Sequence, residues 1–299
     1  MQNNDSATGE VVVNGTIESE MFCESSWSLV VAANSDELLR NNLLRSGEFR
    51  HAKEVVIRRD ALSAAIAYNA GMSECTGDLV VFAHQDVFLP DGWAERLKQW
   101  TQVLAQRDPN WGVLGVYGVT TSGNGAGYVY SLGLGRFVGS PIAAPIPIAT
   151  LDEMLLIIRR CSGLRFDDNL PGFHLYGTDI CVEAKSRGMQ NYVLPCFTLH
   201  NSKGLRQLPR SYWKAYMYLR RKWRRQLPIS TPCATISSSY SPMVAHISAA
   251  CWSFVRGRDR PGSRVSDPLR FYHEHIAPVV DNPIPEASNQ PRALPLISR

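Results

Sequence analysis

Residues 76–93 read Thr76-Gly-Asp-Leu-Val-Val-Phe-Ala-His-Gln-Asp-Val-Phe-Leu-Pro-Asp-Gly-Trp93. The apolar run Leu79 to Ala83 has the length and the Val/Phe content of a buried strand. It ends in His84, Gln85 and Asp86, and apolar residues resume beyond them. In open α/β sheets ligands bind in the crevice past the carboxyl ends of the strands. A carboxylate at that point is placed to meet a ligand or a metal. Its other reading is local: Asp86 caps a turn leading to the helix that begins near Pro90.

On either side, strand-like and helix-like stretches alternate. Trp27 to Ala33 reads as a first buried strand, broken at Asn34-Ser35-Asp36. A helix from about Glu37 to Arg45 follows, with Ser35 or Asp36 as its N-cap. Glu54 to Ile57 is a second strand. The helix Leu62 to Glu74 is expected to gather Leu62, Ala65, Ile66, Asn69 and Met72 on one face. Beyond the central strand come a helix from about Gly92 to Gln106 and strands at Gly112–Val119, Met154–Ile158 and Tyr192–Leu199. Thr178 is the expected N-cap of a helix from Asp179 to about Arg187, and Gly188 its stop. Such alternation predicts an α/β fold with a mostly parallel central sheet flanked by helices.

The composition narrows the class. The 299 residues, 44% of them hydrophobic, suffice for one large domain with additions. Formal net charge is +4, too weak a balance to imply nucleic acid by itself. The charge is uneven, however: Asn201 to Gln226 holds nine Lys/Arg and no Asp/Glu. The seven cysteines are scattered and form no Cys-x-x-Cys pair. That argues against a disulfide framework or a zinc knuckle and favours a reducing compartment. The polar start (Met-Gln-Asn-Asn-Asp-Ser) lacks the basic and apolar regions of a signal peptide. The expectation is a cytoplasmic protein with a loose arm over residues 1–26. The glycines at 133, 135 and 139 miss dinucleotide-binding spacing, and no phosphate-cradling P-loop occurs. Beyond Pro228 the Ser-, Pro- and Arg-rich chain shows little sustained period. Residues 231–299 are expected to form a helical and partly irregular extension, its His273-Glu274-His275 solvated.

Three stretches in order carry a family resemblance. They are Ser28–Ser46, Thr76–Trp93 and Gly172–Gly204, with Tyr68-Asn69-Ala70-Gly71, Phe82-Ala83-His84-Gln85-Asp86-Val87 and Phe173-His174-Leu175-Tyr176-Gly177-Thr178-Asp179-Ile180-Cys181 as the specific phrases. Together they resemble family 2 glycosyltransferases of the GT-A fold, in particular the subgroup typified by a glycosyltransferase-like domain of streptomycin biosynthesis. The likeness covers roughly residues 26–230 and sets the expected domain at 27–230.

The resemblance implies transfer of a sugar from a nucleoside-diphosphate donor, a UDP-sugar by expectation, to an acceptor hydroxyl, with inversion and a divalent cation. The family's acidic metal motif falls on His84-Gln85-Asp86, where His84 replaces the usual first Asp. Asp86 and His200 are the implied metal ligands, with Mn2+ or Mg2+ as cofactor. Imidazole tilts the choice to Mn2+. Asp179, at a helix start that favours an ionised carboxylate, matches the family's base. Asn34, Asp36, Ser63, Asn69, His84, Gln85, Asp86 and Lys203 are the donor-side candidates. Asp152, Glu153, His174 and Tyr176 are the acceptor-side ones. The family's second strand usually ends in an Asp that contacts uridine; here that strand reads as merged into Ile57–Ser63 or lost. For the basic helix Pro209 to Arg225 three readings stand: a solvated face, a peripheral membrane contact, or cations for the donor phosphates. The remaining alternative for the whole chain is a GT-A-like protein that binds nucleotide-sugars or glycans without turnover.

Overall fold

The computed structural model describes residues 26–204, 207–255 and 262–280, without the side chains of 253–255. The expected arm and the apolar Val11–Val13 lie outside the described residues.

The strands are β1 (Trp27–Ala33), β2 (Val55–Arg59), β3 (Leu79–His84), β4 (Val87–Phe88), β5 (Val113–Gly115), β6 (Tyr117–Val119), β7 (Gly125–Ser131), β8 (Arg136–Gly139), β9 (Ile146–Ile148), β10 (Thr150–Leu151), β11 (Leu155–Arg159), β12 (Asn191–Val193) and β13 (Thr198–His200). The helices are α1 (Asp36–Asn41), α2 (Ala64–Glu74), α3 (Trp93–Arg107), α4 (Tyr176–Ser186), α5 (Arg210–Lys222), α6 (Ser241–Val255), α7 (Pro268–Phe271) and α8 (Ala277–Val280). A π-type turn over Tyr272–Ile276 joins the last two.

A seven-stranded sheet runs β2-β1-β3-β11-β5-β12-β9. β1 pairs in parallel with both β2 and β3, and β5 with β12, while β11 and β9 run against their neighbours. The expected α/β class, with helices flanking a central sheet, is present. Strands β1 and β3 are apolar on both faces because both are covered. Val30, Val80 and Phe82 pack towards α2 and α4; Leu29, Val31, Val81 and Ala83 pack towards α3.

Several expectations are corrected. The stretch 112–119 divides at Val116, so that β5 joins the large sheet and β6 a second, six-stranded one, β10-β6-β7-β13-β4 with β8 paired to β7 off that path. The stretch 192–200 divides the same way into β12 and β13. The first run has no Pro to mark its division, whereas Pro195, which cannot donate to a ladder, stands between β12 and β13. On α2 the buried face is Ala64, Ala65, Ala67, Tyr68, Gly71 and Met72, whereas Leu62 is 86% exposed. Small residues let this helix sit close on β1: a Cβ on Gly71 would meet Val30 Cγ1 at 2.4 Å. Leu62 and Ile66 therefore point outward, while Tyr68 and Met72 are buried. Thr178 is no cap. α4 starts earlier, after Leu175 in the left-handed region (φ 63°), and Thr178 is buried inside it.

The C-terminal extension is largely helical where it is described, and it packs on the domain. Ile229 bridges Ile236, and both are buried in the core beneath α5. Phe271, Tyr272 and Ile276 pack on Phe88, Tyr130, Leu132, Phe197 and Leu199 of the second sheet. The C-terminal helices thus cover one face of that sheet. Within them Glu274 pairs with Arg270 at 2.7 Å, and His275 lies 5.0 Å, ring to ring, from Phe271.

Candidate active site

β3 carries the chain to His84, and the turn Gln85-Asp86 redirects it into β4 of the second sheet. β13 pairs antiparallel with β4 so that His200 faces Val87. That register is what brings His200, distant in sequence, beside Asp86. His200 Nε2 lies 3.3 Å from Asp86 Oδ1, and the rings of His84 and His200 are 5.6 Å apart. One ligand atom from each of His84, Asp86 and His200 lies within 4.8 Å of the others.

The hydrogen bonds orient this cluster. Tyr176, from the first turn of α4, donates its hydroxyl to the Glu153 carbonyl at 3.0 Å. The 2.7 Å contact between that hydroxyl and His84 Nε2 then makes His84 the donor. Nδ1 is left with the lone pair, the tautomer a metal ligand needs. Burial and the neighbouring His200 push the His84 pKa down, which keeps the ring neutral. Burial opposes charge on His200, but Asp86 outweighs it and raises the His200 pKa. Asp86 itself is 7% exposed; His200, His84 and Arg264 overcome its burial and hold it well below the carboxylate range.

Arg264 belongs to no motif in the sequence. Its Nη2 donates to Asp86 Oδ2 at 2.9 Å, and its Nε to the Asn201 carbonyl at 2.9 Å. Buried Asn201 locks the segment in place, accepting from Val265 N at 3.0 Å and donating to Val265 O at 2.8 Å. The segment enters through a crossing of three glycines: a Cβ on Gly262 would fall 2.2 Å from the Gly133 carbonyl oxygen. The C-terminal extension therefore supplies a cation to the central carboxylate.

Beside the cluster a cleft of about 340 Å³ opens at the carboxyl ends of β1, β2 and β3. Ala32, Ala33 and Asn34 line it from β1, Arg58, Asp60 and Ala61 from β2, and His84, Gln85 and Asp86 from β3, with Tyr68 and Phe173. Gln85 ties two strand ends together. Its Oε1 accepts from the backbone N–H of Asn34 and Ser35 at 3.1 Å each, and its Nε2 donates to Asn34 Oδ1 at 2.6 Å. Asp60 follows directly on β2 with φ 54°, a conformation that costs energy for a non-glycine residue. The second strand is thus longer than its sequence suggests, and it ends at an Asp, the residue type the resemblance calls for there. Extending the strand by two residues is the signal that finds it.

Other sequence candidates stand elsewhere. Asp36 is exposed and paired with Arg59 at 2.9 Å. Ser63 caps α2 by accepting from Ile66 N at 3.3 Å. Asn69 is taken up by the 166–168 loop: it donates to Phe166 O and Asp168 Oδ1 at 2.8 Å each. Lys203 is exposed beside the glycine crossing. His174 packs against Tyr212, ring centroids 5.8 Å apart. Asp152 Oδ1 accepts from Met154 N at 3.0 Å. Burial, then Asp152, pushes Glu153 up to about 8. Asp179 is 2% exposed and lies against α5: Lys222 Nζ reaches its carboxylate at 2.8 Å and Trp223 Nε1 donates to it at 2.7 Å. Burial pushes its pKa up despite those partners.

Among known proteins, no family model matches the chain. A protein of Fuscovulum blasticum named "ATP synthase subunits region ORF 6" is 28% identical over 166 residues, 52% of this chain and 64% of that protein. The chain thus spans less than two thirds of that relative. Among solved structures, GalNAc-T7 with UDP, GalNAc and Mn2+ overlaps 67% of this chain and 49% of its own at 12% identity and TM-score 0.48. S. aureus TarS 1-349 overlaps 65% and 64% at 13% identity and TM-score 0.43. A197 from STIV overlaps 56% and 81% at 16% identity and TM-score 0.35.

Proposed function

We propose that the chain is a GT-A glycosyltransferase that moves a sugar from a nucleoside-diphosphate donor, a UDP-sugar by preference, to the hydroxyl of a glycan or small-molecule acceptor, with inversion. The observation that carries this reading is the His84–Asp86–His200 cluster at the strand ends, beside a cleft. It supports the family resemblance at the positions that matter for a nucleotide-sugar.

The donor set fits a divalent cation. Two imidazoles, one of them already in the right tautomer, and an ionised carboxylate suit Mn2+ better than Mg2+. Such an ion would supply charge that stabilises a departing diphosphate. Around it the protein's own residues have separate tasks. Asn34, held by Gln85, and Asp60 face the cleft from β1 and β2, where a nucleoside would be recognised. Arg58, in the same wall, offers a cation, though it also pairs with Glu74 at 2.6 Å. The acceptor side is assigned to the neighbourhood of Asp152, Glu153 and Tyr176.

Two carboxylates compete for the proton of the acceptor hydroxyl. The resemblance points to Asp179, whose oxygens are engaged by Lys222 and Trp223. Glu153 is the other candidate, because its backbone carbonyl accepts from Tyr176, which contacts His84, and burial pushes its carboxyl up to about 8. Single-turnover rates of Glu153→Gln and Asp179→Asn separate them: the base is the one whose loss lowers the chemical step while donor binding is kept.

The reading is tested by calorimetry and thermal shift with UDP, GDP, dTDP and CDP, with and without Mn2+, on wild type and Asp86→Ala. One diphosphate should stabilise wild type only with metal, and Asp86→Ala should lose the effect. Absence of metal-dependent binding to all four would overturn it. Tight metal-dependent binding without turnover on any nucleotide-sugar would favour a binding protein instead.

A further inference from the structure

α6 is a helix with its apolar stripe on the outside. Its sequence, Ser-Pro-Met-Val-Ala-His-Ile-Ser-Ala-Ala-Cys-Trp-Ser-Phe-Val, contains no Asp, Glu, Lys or Arg. Val244 is 54% and Ile247 44% exposed; Tyr240 and Cys251 are exposed as well. Positions 240, 244, 247 and 251 repeat at the spacing of one helical face. In a helix built only to pack on its own domain that face would be covered. Here it is presented.

The neighbour of α6 is the basic helix α5. Trp213 meets His246 with ring centroids 6.1 Å apart, and Arg220 lies 4.2 Å over the ring of Tyr240. Between the two helices runs a groove with an apolar floor of Trp213, Met217, Met243 and Ile247 and with Arg210, Lys214 and Arg221 along it. α5 has no acidic residue, and it buries Tyr212, Ala215, Tyr216 and Leu219 inward, so these cations lie on its outer side. Exposed apolar groups beside exposed cations are the chemistry of an anionic bilayer surface. A second copy of this chain fits less well, since a two-fold contact across α6 would bring the two sets of cations together. At about 1.5 Å per residue α6 is some 22 Å long, shorter than the roughly 30 Å hydrocarbon core. Among the described residues no helix is long and apolar enough to cross a membrane. An in-plane contact is the geometry that remains.

We infer that α6 and the outer face of α5 form a docking surface for an anionic phospholipid membrane, with Tyr240, Val244 and Ile247 entering the headgroup region and Arg210, Lys214 and Arg221 meeting lipid phosphates. None of these residues belongs to the cleft, so the inference stands or falls apart from the catalytic reading.

The test is co-sedimentation of the full chain with phosphatidylcholine vesicles with or without phosphatidylglycerol, at low and high salt. Wild type should bind only the anionic vesicles, and more weakly as salt rises. Lys214→Glu and Arg221→Glu should each weaken binding at least about fivefold, the effect of ~1 kcal/mol per cation at such a surface. Val244→Asp with Ile247→Asp should abolish it. Unchanged melting temperature in each variant shows that the fold is intact. The inference is overturned if wild type ignores anionic vesicles or if the variants bind as well as wild type. It is also overturned if light scattering finds a dimer that the Val244→Asp, Ile247→Asp pair dissociates, which assigns the stripe to a second copy.

Discussion

Asp86 is the residue on which the site balances, because each of its oxygens already has a cationic or potentially cationic partner. His200 faces Oδ1 and Arg264 holds Oδ2. Arg264 acts on a metal at that carboxylate in two opposed ways. It orients the ligand, and loss of such an orienting partner costs about 10- to 100-fold in metal affinity. It would also set a fixed positive charge against any divalent ion held by that carboxylate, a repulsion of several kcal/mol even at an effective dielectric of about 20. The repulsion outweighs the orientation. Arg264→Ala is therefore expected to tighten binding of Mn2+ alone by at least about tenfold, whereas Arg264→Lys keeps the charge and changes it little. Titration followed by the electron paramagnetic resonance of free Mn2+ measures both. Weaker binding in Arg264→Ala would make orientation the residue's main contribution. In Asp86→Ala both partners lose their counter-ion, so that variant should lose metal binding and some stability as well, seen as a lower Tm.

Between elements, the decisive contact is α5 against α4 and the 166–170 loop. Lys222 reaches Asp167 at 2.7 Å and Asp179 at 2.8 Å, and Tyr218 donates to Asp167 at 2.8 Å. The two acids respond in opposite senses. Burial raises the Asp167 pKa, but Lys222 and Tyr218 outweigh it and leave it at about 2. A depressed carboxylate contributes stability above its unfolded pKa and loses it as pH falls through the folded value. Asp167→Asn should therefore lower the urea midpoint near neutral pH, with the gap to wild type closing as pH falls from about 4 towards 2. For Asp179 burial wins and the pKa is raised, so its ionised form is the costly one. Asp179→Asn should leave the midpoint at neutral pH unchanged or higher. A large loss there would mean that the Lys222 pair outweighs burial. These contacts also mark where the sequence stops being informative. The buried strands β1 and β3, the basic helix and a cap at Ser35 or Asp36, which is Ser35, are legible because apolar periodicity and cap chemistry are local. His84, Asp86 and His200 are found through family phrases, and their meeting depends on the β4–β13 register. The division at Val116 is invisible, because a change of sheet alters partners and leaves hydropathy unchanged, whereas the one after Val193 is marked by Pro195. Arg264 is invisible for a similar reason: its role is created by a segment whose own sequence has no period.

For the whole molecule, the C-terminal helices decide whether the second sheet, and with it His200, stays in place. Phe271, Tyr272 and Ile276 cover Phe88 on β4, Tyr130 on β7 and Leu199 on β13. β4 and β13 are short, two and three residues, and few ladder hydrogen bonds hold them. Burial by the C-terminal helices must supply much of what fixes their register. Ile276 is fully buried, and truncating such a residue to alanine costs about 2–5 kcal/mol, Phe271→Ala about 3–5. Because that loss falls on the strands flanking Asp86 and His200, it should reach the site before the rest of the fold. Ile276→Ala is expected to speed amide hydrogen exchange at Leu199 and His200 while Val80, Val81 and Phe82 of the central strand keep their protection. Mn2+ should slow that exchange again, since Asp86 and His200 would both hold the ion and its binding would favour the paired register. Uniformly faster exchange across both sheets would instead show one cooperative unit, with the C-terminal helices supporting the whole core.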